Sequence, residues 1–183
     1  MPTIITHTAV PLAIGLGLGR NVIPRRLLLA GVAASMVPDF DVIGLKLGIA
    51  YAEDMGHRGI THSLLFALAL ALLAAAFASR LRARPLIAGL FVFVSCASHG
   101  LLDMCTNGGL GIAYFWPFSH ERYFLPWHIV EVSPLALDKV FGARGLVVLY
   151  SELEWIWLPC ISLALALAAV RWLRALRPGD QRL

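Results

Sequence analysis

The chain has 183 residues, enough for one domain, of which 59% are hydrophobic and only 14% charged, with a mean hydropathy of +0.78. Soluble domains carry about 25% charged residues, so this chain lacks the charges to cover a water-facing surface, and composition excludes a soluble globule. The net charge of +4 would suit nucleic acid, but the placement of the basic residues assigns it to membrane topology instead.

The residues Met1–Thr8 carry no positive region ahead of the first apolar stretch, and no small-residue cleavage site follows it. That stretch is therefore expected to stay in the mature protein. Five hydrophobic segments follow in order. The first runs from about Ile5 to Gly19 and is short and glycine-rich. The second runs from Leu27 to Val37 and is expected to stop at Pro38, since proline disfavours helix in the residue before it. A polar, irregular stretch covers Asp39 to Ile60. The third segment, Thr61 to Ser79, opens on Thr61-His62-Ser63, residues suited to a helix N-terminus. The fourth runs from Leu86 to Cys105. A mixed region from Thr106 to Glu154 follows, and its Trp116, Tyr123, Phe124 and Trp127 suit a membrane–water boundary. The fifth segment, Trp155 to Leu173, closes an all-α, polytopic membrane helix bundle of four or five hydrophobic segments, in one integral-membrane domain over residues 1–183. Segments near ~20 residues span a bilayer, whereas shorter ones reach part-way or tilt.

Ten of the fifteen basic residues fall in three clusters beside these segments: Arg20, Arg25 and Arg26; Arg80, Arg82 and Arg84; and Arg171, Arg174, Arg177 and Arg182. Arginine-rich short loops mark the cytoplasmic side. With all three clusters inside, the five segments alternate self-consistently, the N-terminus lies outside and the C-terminus inside. Ten of the eleven acidic residues then fall on the outer side, with Asp180 alone inside. Cys96, Cys105 and Cys160 lie at unrelated spacings without a CxxC pair and read as small buried apolar residues.

The same topology gathers the remaining polar residues. His7 opens the first segment, Asp39 and Asp41 follow the second, His57 and His62 precede and open the third, and His99 and Asp103 end the fourth. Seven potential metal ligands from four segments thus meet at the outer end. His99 and Asp103, at i and i+4, share a helix face. Asp39 and Asp41, two apart in an extended turn, would point the same way. His57 and His62 are five apart and meet only if His57 lies in a loop, which Gly56 and Gly59 favour. Ionisable residues in an otherwise apolar run cost on the order of 2.5–3.5 kcal/mol at the centre of a membrane helix and are usually paired, ion-bound or functional. Imidazole suits zinc, manganese or iron, and carboxylates shift the preference toward manganese or magnesium. The set predicts one or two divalent ions, zinc first, with manganese or magnesium as the alternatives. Arg58 and Arg122 are candidates to hold an anionic substrate. Glu152 and Glu154 are weaker candidates for a general base, and His120 and His128 read as solvated or interfacial.

The order His7, Pro38-Asp39-Phe40-Asp41, His57-Arg58-Gly59-Ile60-Thr61-His62-Ser63, His99 to Asp103 with Thr106, Gly108 and Gly109, then Trp116-Pro117-Phe118 resembles the YdjM-like family of inner-membrane proteins. These are described as membrane-bound metal-dependent hydrolases, LexA-regulated in their type member. The resemblance covers Thr6 to Pro126 and implies a metal, a hydrolytic activity and the seven matching residues as ligands. It names no substrate. The expectation is a hydrolase at the outer surface of the inner membrane with a small-molecule or lipid substrate, a lipid or lipid-linked phosphate ester first and an amide or carboxylic ester as the alternative. His99, Asp103, Asp39 and His62 would hold the ion. His7, Asp41 and His57 would complete a second ion or act as acid and base, and Arg58 or Arg122 would hold negative charge. The competing expectations are a metal-binding or transporting protein and a structural protein whose His/Asp cluster ties helices together. Membrane lipids are the expected partners; nucleic acid is not one.

Overall fold

A computed structural model of the chain describes residues 1–134 and 142–176. Asp138, Arg177, Asp180 and Arg182, used above in the charge count, lie outside the described residues.

The described residues form helices and connecting loops and no strand, apart from two isolated bridges, Thr106 with Val130 and Ile112 with Tyr123. A single 3-10 turn, Thr6–Thr8, leads into α1, Ala9–Leu18. Helix α2 is Arg25–Met36, and its path continues through a 3-10 turn, Val37–Asp41, into α3, Val42–Lys46. Helices α4, Leu64–Ala76, and α5, Ala78–Leu81, follow, then α6, Pro85–Met104. The last described helices are α7, Ala143–Glu152, which passes through a π turn, Leu153–Trp157, into α8, Leu158–Ala175.

Two boundaries differ from expectation. The second segment does not stop at Pro38. The proline sits in the first positions of the 3-10 turn, where no intrahelical N–H is needed and its fixed φ suits the helix. The fifth segment begins at Ala143 rather than Trp155, because the π turn carries the helix across the polar Glu152-Leu153-Glu154 stretch.

Among the described residues, three helical stretches are long and apolar enough to cross a membrane: Arg25–Lys46, Pro85–Met104 and Ala143–Ala175. The apolar helices Thr6–Leu18 and Leu64–Ala76 are shorter. Both basic turns and the last helix meet at one end. The Arg26 guanidinium donates to the Arg80 carbonyl at 3.1 Å, and Arg171 donates to the Gly17 carbonyl at 2.9 Å. The histidines and aspartates of the next section occupy the opposite end.

Small residues let the helices approach closely, as they must where lipid offers no hydrophobic drive for association. Ala67, Ala71, Ala74 and Ala88 are buried in the α4–α6 contact. In α1, a Cβ at Gly17 would stand 2.7 Å from the Cβ of Leu167 and 3.2 Å from the Ala164 carbonyl on α8. Gly17→Leu is therefore expected to push α8 off α1 and cost about 1–3 kcal/mol, read as a lowered melting temperature in detergent; an unchanged melt would mean the two helices do not pack this way.

Candidate metal centre

The centre is assembled from four places in the chain. His7 sits in the 3-10 turn ahead of α1, Asp39 in the 3-10 turn after α2, and His99 and Asp103 one helical turn apart on α6. One ligand atom from each of the four lies within 4.8 Å of all the others. None of the four is more than 2% exposed. His62, from the turn Ile60–His62 before α4, closes the group. Its Nε2 is 3.0 Å from His99 Nε2, 3.5 Å from Asp103 and 3.9 Å from Asp39.

Hydrogen bonds on the far side of each ring set which nitrogen faces inward. His99 Nδ1 lies 2.8 Å from the Ser35 carbonyl, an acceptor only, so Nδ1 carries the hydrogen and Nε2 offers a lone pair. His62 Nδ1 lies 3.1 Å from Asp41 Oδ2, which leaves its Nε2 bare as well. Two imidazole lone pairs 3.0 Å apart repel unless a cation or proton sits between them. His7 stacks on His99 with ring centroids 3.6 Å apart and brings its Nε2 within 3.5 Å of Asp103 and 3.7 Å of Asp39.

Among the described residues, the buried side-chain atoms without a hydrogen-bond partner are both nitrogens of His7, both oxygens of Asp39 and of Asp103, and Arg58 Nε. Leaving such groups unmatched is costly in a low-dielectric interior. Asp39 and Asp103 converge at the centre, Asp41 pairs with His57 and His62 behind them, and the Arg58 guanidinium pairs with Asp103. Burial opposes a charge on His62, but the Asp103 and Asp41 carboxylates outweigh it and raise the imidazole to about 9, so without an ion a proton supplies part of the balance. The donor set and its orphaned atoms fit a divalent cation.

Comparison with known proteins gives the family of the chain. The profile of the family described as YdjM inner membrane protein matches residues 1–176. The chain belongs to this family. It is 51% identical over 160 residues to the inner membrane protein YbcI of Escherichia coli (strain K12), covering 87% of this chain and 92% of that one. No solved structure matches it. The family match extends well past Pro126, where the motif resemblance ended, and so takes in α7 and α8.

The His57–Ser63 block, His-Arg-Gly-Ile-Thr-His-Ser, builds the wall beside the centre. His57 does lie in a loop, and a Cβ at Gly59 would stand 2.0 Å from the Asp54 carbonyl, so only glycine fits that turn. Arg58 takes a left-handed φ of 64°. Ser63 caps α4, accepting from the Phe66 N–H at 3.1 Å. Asp41 does not share the inner site with Asp39. The 3-10 turn rotates the two carboxylates apart, where an extended turn would have aligned them. Asp41 instead accepts from His57 Nδ1 at 2.5 Å, the Thr61 hydroxyl at 2.7 Å, the Arg58 N–H at 3.0 Å and His62 Nδ1 at 3.1 Å. One carboxylate thus orients two imidazoles.

The two arginines considered for substrate binding are both engaged. Arg58 is 1% exposed; its Nε lies 3.4 Å from Asp103, and its other nitrogens donate to the Gly108 carbonyl at 2.8 Å and the Thr106 hydroxyl at 3.2 Å. Arg122 donates to the carbonyls of His57, Tyr51 and Glu53 at 3.0–3.1 Å and holds the loop over the centre. Burial raises the Tyr51 phenol above its ordinary value, so it meets the His57 ring edge-on, centroids 5.1 Å apart, as a neutral group. Glu152 is not one of the converging ligands. Buried, it accepts from the Thr3 N–H and from the hydroxyls of Thr3 and Thr6 at 2.8 Å, which ties α7 to the turn that carries His7. Glu154 and His128 are exposed, and His120 pairs at the surface with Asp54 at 3.1 Å.

Ser35 escaped the sequence reading because it acts through its backbone carbonyl, which every residue carries, and Gly108 stood there only as a motif glycine, its carbonyl's role toward Arg58 unread. Thr61 had a signal, its place inside the HRGITHS block.

Proposed function

We propose that this YdjM-family protein is a metal-dependent hydrolase of the inner membrane, acting at the extracytoplasmic surface on an amphipathic phosphate ester such as a lipid-linked phosphate. The observation that carries the reading is the buried His/Asp cluster whose ligand atoms converge and whose carboxylate oxygens lack hydrogen-bond partners. His7, Asp39, His99 and Asp103 would hold the ion, with His62 as a fifth donor. When bound, a divalent ion supplies a lowered pKa for a coordinated water and polarisation of the scissile ester.

The chain's own residues supply the rest. Asp41 holds His57 through Nδ1 and so frees His57 Nε2 to take a proton, the arrangement of an oriented general base. Arg58 balances Asp103 and keeps its carboxylate facing the centre. Exposed Phe118, Phe124 and Trp127 at this end suit a headgroup-level rim. The arginine clusters at the other end favour the extracytoplasmic side for the centre. Because the ligands are buried, substrate reaches them only when the Tyr51–Gly59 loop, held by Arg122, moves aside.

That same burial favours a second reading, a metal that only staples the helices, as closed structural sites do. The deciding experiment loads detergent-purified protein with zinc, manganese or magnesium and measures release from bis(p-nitrophenyl) phosphate and from phosphatidyl substrates. Turnover that falls about 10²–10⁴-fold in His57→Gln, the usual worth of a general base, with metal content retained, supports the hydrolase. A fully loaded wild type without turnover on any of them, yet destabilised by chelation, supports the staple.

A further inference from the structure

The end of the molecule opposite the His/Asp centre holds a second feature that the hydrolase reading does not use. A cavity of about 520 Å³ opens beside the Gly19–Pro24 turn, and Arg20, Arg25 and Arg171 line it. A neighbouring cavity of about 510 Å³, on the other side of the same turn, is lined by Arg82 and Arg84. The two share Asn21. Between α1 and α6 an apolar groove of about 180 Å³ meets both: it shares Leu18 and Ile23 with the first cavity, and Val22 and Ile87 with the second.

Charge at this end is of one sign. Arg20, Arg25, Arg82 and Arg84 make no salt bridge among the described residues, and every described acidic residue belongs to the other end of the bundle or its loops. Helices α2 and α6 both begin here, on Pro24 and Arg84, without a side-chain cap, so their first backbone N–H groups add positive potential. A topology signal requires arginines near the membrane surface. It does not require them to line one recess that runs on into an apolar slot. Such a recess fits a molecule with an anionic head and a hydrocarbon tail.

We propose that this basic recess is a binding site for an anionic phospholipid, its phosphate held by Arg20, Arg25 and Arg171 and an acyl chain lying in the groove between α1 and α6. The guanidiniums offer paired donors to phosphate oxygens, and the groove excludes water from the chain. Zwitterionic lipid satisfies the groove but brings its own cation into the arginines.

The test is native mass spectrometry of the full chain in neutral detergent, titrated separately with phosphatidylglycerol, phosphatidylcholine and inorganic phosphate. Wild type is expected to retain phosphatidylglycerol over phosphatidylcholine. Arg20→Gln and Arg25→Gln are each expected to weaken that retention about fivefold, the order of attraction one juxtamembrane arginine exerts on an anionic headgroup. Arg174→Gln, at the same end but outside the recess, should leave it unchanged. All four proteins should carry the same metal content, which confirms a folded bundle. Equal binding of the two lipids overturns the site. So does an Arg174→Gln loss as large as the others, which would mean diffuse surface charge, and so does displacement of phosphatidylglycerol by millimolar phosphate, which would mean a phosphate site with no use for the chain.

Discussion

Asp103→Asn protein is expected to leave purification without metal, whereas wild type carries it stoichiometrically, both measured by elemental mass spectrometry without chelators. Asp103 is fully buried, reaches His7, His62 and His99 within 3.9 Å, and has no hydrogen-bond partner on either carboxylate oxygen. Asp41→Asn offers a graded comparison. Its carboxylate touches His57 and His62 rather than the inner group, and loss of such an outer partner costs about 10–100-fold in metal affinity; Asp103→Asn should cost more. Stability supplies a second readout. Metal-loaded wild type is expected to melt above metal-free wild type, because an ion that binds only the folded state stabilises it. Asp103→Asn leaves the buried Arg58 guanidinium without its ion-pair partner among the described residues, so it is expected to melt below both. A variant that keeps its metal would show that Asp103 does not hold the ion.

Arg58→Met is the substitution expected to destabilise the protein most. It leaves Asp103 without its counter-charge and takes the guanidinium donors from the Gly108 carbonyl and the Thr106 hydroxyl, which keeps its own bond to the Asp103 carbonyl. Breaking a buried ion pair by removing one partner typically costs about 3–5 kcal/mol. Methionine keeps the left-handed φ of 64° that costs arginine the same roughly 1–2 kcal/mol, so this strain adds nothing to the loss against wild type. Arg58→Gly removes the same guanidinium but tolerates that backbone, so it should melt above Arg58→Met. Arg58→Lys keeps charge yet cannot span Asp103, Thr106 and Gly108 with a planar fork, and is expected to fall between wild type and methionine. Melting temperatures of the four proteins in one detergent check the order. Equal melts for wild type and Arg58→Met would mean that the guanidinium is not buried against Asp103 at all.

The residues that made the centre legible in the sequence share one property: their side chains have no purpose in a lipid-facing helix. His99 and Asp103 interrupt an apolar run at the spacing of one helical turn, and α6 presents both to the centre. His7, Asp39 and His62 arrive there because the segments alternate direction, and alternation follows from where the arginines stand. Two things were not legible. The first was the local path of the backbone. An extended turn after Pro38 and a 3-10 turn are both compatible with Pro-Asp-Phe-Asp, yet only the second sends Asp39 inward and Asp41 toward His57. The second was the partner of each arginine. Arg58 and Arg122 had the chemistry to grip an anion, but their donors meet the carbonyls of Gly108, Tyr51, Glu53 and His57.

Composition and charge placement alone thus determined that this protein lives in a membrane, which of its segments are apolar, and that its histidines and aspartates gather at the end away from its arginines. These follow from solvation, since each residue's preference for water or hydrocarbon is a property it carries by itself. Tertiary structure decided which carboxylate faces the inner group, which nitrogen of each imidazole is free, and that Arg58 closes the centre. Those depend on hydrogen bonds to backbone groups, identical in every residue and placed only by the fold.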